Sequence, residues 1–433
     1  MLFHDIAIID EELEYREHRW VGVLDDKIDY IGKQPPADAE KYGEVYDGSE
    51  RLLMPALYNA HAHAPMTLLR GYAENLPLQA WLEQKCWPFE GKMNGDDNYW
   101  ATLLSCAEMA RYGVVSFSDM YYFTRDRARA VEESGLKANL CTSPIAFEPK
   151  PIQDYTAVYE EMIDGAENVH GMADGRIKFE MCIHAEYTNN DVTAKSVFDL
   201  AKEYNLPLHI HVAETKFETD GCRERHNGMS PMRWLESLGA MDVPLIAAHC
   251  VYVDDDDIAL MADRGVTAVH NPASNMKLSS GFAPIAKMLD AGVNVALGTD
   301  GMASNNNHDM FQDMYLMAML PKGYLLDPTL ITPKQALNAA TRGGAIAQSR
   351  QDCGQIKVGN KADLCVLDVS GPSWCPFNDM LTNVVYAGHG TDVVLTLCDG
   401  VVVYRDGMWP TIDIERVKTE VVERTKRIQS ELE

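Results

Sequence analysis

Eight short apolar runs, each separated from the next by a helix-length stretch, constrain this chain more than any other feature. The first is "RLLMPALYNAHAH". The others are "GVVSFSDM", "KANLCTSPI", "IKFEMCIHA", "PLHIHVAE", "VPLIAAHC", "VTAVHNP" and "VNVALGTD". Strands alternating with helices argue for parallel βαβ units. Eight of them predict an α/β fold of the (β/α)8 TIM-barrel type, whose active sites form at the carboxyl ends of the strands. Seven of the eight runs finish in residues suited to chemistry: His61 and His63, Asp119, His184, then His209, His211 and Glu214, then His249, His270 and Asp300. Packing alone does not place such residues at the same end of so many strands, so the pattern predicts one site.

The flanks read differently. The first fifty residues alternate apolar and polar positions, as in "HDIAIID" and "HRWVGVLDDKIDYIG", and predict short antiparallel strands with a turn at Asp25-Asp26. A second β-rich block, "KADLCVLDVS" and "DVVLTLCDGVVVYRDGMW", carries a hairpin turn at Asp399-Gly400. The expected organisation is therefore residues 1–54 and 359–410 as the two parts of a small β-sandwich formed from both chain ends. Residues 55–358 form the metal-dependent barrel, and residues 411–433 an amphipathic helix. That charged helix is compatible with either a homo-oligomer interface or a solvated cap.

Composition narrows the function classes. A chain of 433 residues exceeds one small core. A net charge of −27 argues against nucleic acid or an anionic membrane as partner. No apolar run reaches spanning length, and the acidic N-terminus does not read as a signal peptide. Ten cysteines without a C-x-x-C pair read as reduced thiols of a cytoplasmic protein.

Within the site, His61 and His63 lie at i and i+2 and share one strand face. With His211 and Asp300 they make three imidazoles and a carboxylate, a donor set for zinc or a similar divalent ion with a position left for water. Iron and manganese fit similar ligands. A water on such an ion drops from a pKa of about 15.7 towards about 7. Glu214 and His249 remain, suited to a general acid/base and a group that orients the water. His209 is expected to fill the barrel interior, and His270 to be an ordinary core or loop histidine. "His184-Ala-Glu186" matches half of a zinc cytidine-deaminase motif, but no P-C-x-x-C follows. "GQIKVGNK" has Asn360 where a P-loop needs lysine. Lys178 stands at the start of its strand, not at the end where a bridging lysine of a two-metal site would stand, so a single ion is expected.

The stretches "NAHAHAPMTLLRGYAENLPLQAWL", "HIHVAET", "AAHC", "HNPASNMKL" and "LGTDGMASNNN" resemble the amidohydrolase superfamily, in its cytosine deaminase-like branch that includes the chlorotriazine hydrolases. Within that branch they are most similar to the S-adenosylhomocysteine/5′-methylthioadenosine deaminases. The resemblance runs from about Leu53 to about Asp368. It implies hydrolytic deamination of an adenine ring at C6, giving the inosine-type nucleoside and ammonia. Glu214 would protonate N1 and carry the proton to the leaving group. Asp300 would ligate the metal and accept a proton from the water, and His249 would hold the attacking oxygen. Glu90, in "CWPFEGKM", falls where the family places a carboxylate on the ribose hydroxyls, and His184 where it places a histidine on the purine; Trp87 and Trp81 are expected to wall the pocket. One departure stands out. Relatives that bind a homocysteine carboxylate use arginines at and after the third strand, whereas no arginine lies between Ala138 and Gly175 here. Lys150 lacks the bidentate fork that grips a carboxylate. Methylthioadenosine, adenosine and S-adenosylhomocysteine all remain open, as does the same chemistry on guanine, cytosine or a chlorotriazine.

Overall fold

The computed structural model describes residues 1–432. Two five-stranded parallel sheets form the centre. One runs in the order Asp300–Gly301, Leu57–His63, Val114–Met120, Lys137–Cys141, Ile177–Phe179; the other runs Met181–Cys182, Leu208–Val212, Leu245–His249, Thr267–His270, Asn294–Leu297. The sheets are continuous in sequence at two points. Glu180 alone separates Phe179 from Met181, and Gly298-Thr299 separate Leu297 from Asp300. Strands such as Val114–Met120 and Leu208–Val212 are buried along their whole length. That is what a parallel strand covered on both faces requires, and it explains why they read as unbroken apolar runs.

Helices follow the strands and are capped by their own sequence. At Gly95–Arg111, Asn94 Oδ1 accepts from Asp97 N at 3.1 Å while Asp97 accepts from Asn94 N at 2.8 Å. This capping box satisfies two donors that a helix start otherwise leaves bare. Asp254 and Asp257 repeat the arrangement at Asp255–Arg264.

Strands from the two chain ends meet in one sheet. Leu364–Asp368 pairs antiparallel with Arg51–Pro55, which joins Leu2–Ile9, Tyr15–Leu24 and Lys27–Gly32 to Val393–Cys398 and Val401–Arg405 in one eight-stranded sheet. Both foreseen turns are two-residue hairpin loops: Leu24 faces Lys27 across Asp25-Asp26, and Cys398 faces Val401 across Asp399-Gly400. Phe3, Ile8, Val21, Leu364 and Leu395 share a separate apolar core on this sheet. A buried ion pair ties sheet to centre: Lys137 Nζ reaches Asp363 and, at 2.7 Å, Asp399 Oδ1. The tail helix spans Ile414–Ser430 and packs Val417, Val421 and Ile428 onto its own chain. Its Arg427 pairs with Asp97 at 2.5 Å. Glu433, the last residue of the expected helix, lies outside the described residues. Among the described residues, no helix is long and apolar enough to cross a membrane.

Candidate metal centre and active-site pocket

Four donor atoms from His61, His63, His211 and Asp300 lie within 4.8 Å of one another; the histidines come from the carboxyl halves of their strands, and Asp300 opens the short strand just beyond Leu297. His63 Nε2 is 3.1 Å from Asp300 Oδ1 and 3.3 Å from His211 Nε2. His61 Nε2 is fully buried and makes no hydrogen bond, with Asp300 Oδ1 at 3.3 Å outside hydrogen-bond geometry. A buried ring nitrogen without a partner is costly, and a cation between these donors removes that cost. The remaining ring nitrogens agree. His63 Nδ1 donates to Met120 O at 2.6 Å and His211 Nδ1 to His184 O at 2.7 Å. Each bond leaves the Nε2 lone pair facing the cluster, the tautomer a metal ligand needs.

The backbone makes room for this. Asp300 has φ of 58°, a left-handed conformation that aspartate tolerates better than most residues. A Cβ on Gly298 would lie 2.4 Å from Asn271 Oδ1 and 2.8 Å from the His61 Cβ, so only glycine fits there. Ser274 and Ser304 donate to Asp300 Oδ2 at 2.6 and 3.1 Å and leave Oδ1 to the histidines. Burial pushes the Asp300 carboxyl up, but the imidazoles of His61 and His63 outweigh it and hold the group well below the usual carboxylate range. Burial holds His61 well below its ordinary value, and burial with the neighbouring imidazoles does the same for His211. The donors are therefore one carboxylate and histidines suited to a divalent ion, zinc by their chemistry.

Glu214 and His249 flank the cluster. Strand Leu208–Val212 ends before Ala213, whose φ of 51° turns Glu214 back over the site. Glu218 fixes that turn by accepting from Ala213 N at 2.9 Å and Glu214 N at 2.8 Å. Ser280 Oγ donates to Glu214 Oε1 at 3.2 Å. His249 Nδ1 donates to Asn275 Oδ1 at 2.8 Å and leaves Nε2 for the pocket. Burial pushes the Glu214 carboxyl above its ordinary value, with His249 opposing.

The pocket over these groups is lined by Glu90, His184, Trp87 and Trp81, together with Tyr121 and Leu278. Tyr121 donates its hydroxyl to Glu90 Oε1 at 2.7 Å. Burial pushes Glu90 up despite that bond. His184 Nδ1 lies 3.0 Å from Thr188 Oγ1, whose own hydrogen goes to Ala185 O. The imidazole therefore donates from Nδ1 and presents Nε2 as an acceptor. Burial pulls it down to about 3, so it is neutral.

Other strand-end residues do not join the site. Asp119 is fully buried in an ion pair with Arg127 at 2.7 Å and accepts from Ala64 N, which makes it an internal brace. His270 lines a separate apolar hollow with Phe282 and Tyr324. Glu186 is held by Arg225 and His226, away from the His61 cluster's donor set. Lys178 donates to Ser349 O, and Lys150 is exposed beside Glu148. His209 lies in the interior as expected, directly behind His61. Glu218, Asn275, Ser280 and Tyr121 have no counterpart among the expected site residues.

Comparison with known proteins places this geometry. The sequence profile of the amidohydrolase family matches residues 52–403. A 5-methylthioadenosine/S-adenosylhomocysteine deaminase from Acetivibrio thermocellus is 40% identical over 426 residues, covering 98% of each chain. Among solved structures, an adenosine deaminase from Xanthomonas campestris with bound zinc superposes with a TM-score of 0.91 at 32% identity, over 99% of this chain and 98% of that one. The zinc complex of atrazine chlorohydrolase from Arthrobacter aurescens gives 0.89 at 21% identity, over 98% and 99%, and so shares the fold. Similarity of this extent, running through every strand that carries a site residue, establishes that the chain belongs to the amidohydrolase family.

Proposed function

We propose that the chain is a metal-dependent aminohydrolase that deaminates an adenosine-type nucleoside, releasing ammonia and the inosine-type product. On this reading the parallel sheets close into one (β/α)8 barrel over residues 55–358. The terminal segments, residues 1–54 and 359–410, fold as a composite sandwich, a reading supported by their shared apolar core, and residues 411–433 cap the barrel. The relatives include deaminases of methylthioadenosine and of adenosine, which supports the substrate class.

His61, His63, His211 and Asp300 hold one divalent ion, zinc by default. When bound, it acts as a Lewis acid and lowers the pKa of water towards neutrality. The chain's own residues do the rest. His249 Nε2 orients the attacking water, and Asp300 Oδ1 takes up a proton from it. Glu214 delivers its proton to N1 as attack proceeds at C6, then takes the proton of the new C6 hydroxyl and passes it to the amine; the C6–N bond breaks, neutral ammonia leaves, and the proton held by Asp300 restores Glu214. Glu90 accepts from the ribose hydroxyls through the oxygen Tyr121 leaves available. His184 Nε2 accepts from the purine side, and Trp87 walls the ring.

The observation that carries this reading is the placement of Glu214 and His249 over the donor cluster in the pocket that also holds Glu90 and His184. No lysine or arginine lines that pocket among the described residues, which favours methylthioadenosine or adenosine over S-adenosylhomocysteine. A second reading keeps the chemistry on a free heterocycle such as guanine, cytosine or a chlorotriazine. It is favoured by Tyr121, which already partners Glu90 without any ribose. Ammonia release by the zinc-loaded protein against these nucleosides and heterocycles separates the two. Turnover of nucleosides supports the first, and turnover of bases or triazines alone replaces it with the second.

The unpaired cysteines, nine of them buried, support a cytoplasmic setting.

A further inference from the structure

Behind the donor cluster runs a buried hydrogen-bonded line. His61 Nδ1 lies 2.9 Å from His209 Nε2, and His209 Nδ1 lies 3.0 Å from Glu180 Oε2. Glu180 Oε1 accepts from Asn139 Nδ2 at 2.7 Å, and Asn139 Oδ1 accepts from Arg350 Nη2 at 3.0 Å. His61, His209 and Glu180 are each 0% exposed. Glu180 is also the residue at which strand Ile177–Phe179 breaks before Met181–Cys182. A carboxylate only accepts hydrogen bonds, so His209 Nδ1 carries a hydrogen. The two imidazole nitrogens that face each other at 2.9 Å then share one proton between them. When that proton sits on His61 Nδ1, His61 Nε2 has a lone pair directed at the other three donors.

The three histidines differ in what stands behind them. His63 and His211 lean on the backbone carbonyls of Met120 and His184. Only His61 leans on a side chain that is itself backed by a carboxylate. The geometry points to His209 and Glu180 as positioning residues of the metal centre, which fix the ring and tautomer of His61 and raise its strength as a ligand. Cys141, Glu180 and His209 also lie close enough to suggest a second metal group. Both His209 nitrogens already face partners, however, so the line serves the first site and is not a site of its own.

This inference rests on the proposed ligand set, and the experiment separates the two. Zinc affinity is measured by chelator competition on the full chain as wild type, Glu180→Gln, His209→Gln and His63→Ala. The visible spectrum of the cobalt(II)-loaded proteins and the melting of the metal-free proteins are recorded alongside. Glu180→Gln keeps the shape and removes the charge. In His209→Gln the new amide oxygen still accepts from His61 Nδ1, but the link to Glu180 is cut. Each is expected to bind zinc roughly 10–100-fold more weakly, with shifted cobalt bands. Affinity within about twofold of wild type and an unchanged cobalt spectrum would overturn the inference, as would a lower melting temperature with unchanged affinity. Should Glu180→Gln not fold, His209→Gln is judged by the same criteria. Full zinc occupancy in His63→Ala would instead overturn the ligand set beneath the inference.

Discussion

Glu214 Oε2 and His249 Nε2 face each other at 3.9 Å. This is too long for a hydrogen bond and short enough for one water oxygen to touch both. Each is braced from behind by a residue that never reaches the pocket centre: Glu218 holds the backbone under Glu214, and Asn275 holds the far side of the His249 ring. On the proposed mechanism, the pair is where an attacking water and a departing amine meet a proton carrier and a hydrogen-bonding imidazole.

Replacing Glu214 by glutamine keeps the side-chain shape and removes the proton carrier. Turnover is expected to fall by about 10²–10⁴-fold or more, while the zinc content per chain stays that of wild type. Ammonia-release kinetics and metal analysis on the same preparation check both. Substantial turnover in Glu214→Gln removes this residue from the mechanism.

The same carboxyl sets a pH limit. Burial favours its neutral form and raises its pKa. The protonated form is the one that delivers a proton to N1, so activity is present below the folded pKa and is lost as pH rises through it. The alkaline limb of kcat/KM is expected above the ordinary glutamate value of about 4.3, falling about tenfold per pH unit above its midpoint. A profile that already falls as pH rises through that value contradicts the assignment.

Metal removal tests the donor cluster through stability. An ion that binds only the folded state stabilises it by about 4 kcal/mol at a thousandfold excess over its Kd. Chelation of the wild-type protein is therefore expected to lower Tm, and zinc to restore it. His63→Ala should melt at the same temperature with and without zinc. A zinc-dependent rise in Tm in His63→Ala places the ion elsewhere.

Much of this was legible because the chemistry sits on strands. His61, His63, His211, His249 and Asp300 each end an apolar run, and a polar residue closing a buried strand at a barrel's functional end stands out by position. The supporting residues carry no such mark. Ser274 and Asn275 lie in the short helix Pro272–Lys277 and Ser280 in the loop after it, where asparagine and serine are ordinary, and Glu218 looks like one more helix acid. Their roles exist only once the turn at Ala213 and the left-handed Asp300 bring distant segments together. Glu180 was masked by lying inside the apolar run "IKFEMCIHA" rather than at its end, and His209 by sharing a face with the stronger candidate His211. Asp119 shows the converse error. Its strand-end position matched the pattern, but Arg127, eight residues later on the following helix, claims its carboxylate.

The pocket's charge gives the sharpest prediction about substrate. The ionisable lining groups are the acids Glu90, Glu214 and Asp300 with histidines, and burial leaves His184 neutral. The nearest lysine beside the lining residue Leu278 is Lys277, and its Nζ is held by Glu74 at 2.8 Å and by Ala303 O. Lys150, the cation in the arginine-free stretch, points to solvent with Glu148. A substrate carboxylate thus meets no free donor of opposite charge and forfeits a charged hydrogen bond worth about 1.5–3 kcal/mol. The expected kcat/KM for methylthioadenosine therefore exceeds that for S-adenosylhomocysteine by roughly 10–100-fold, with the difference mainly in KM because the tail lies away from the reacting C6. Competition between the two nucleosides in one assay measures the ratio directly. A ratio near one would mean that the carboxylate finds a partner, and Lys277→Met would then show whether that partner is Lys277 released from Glu74.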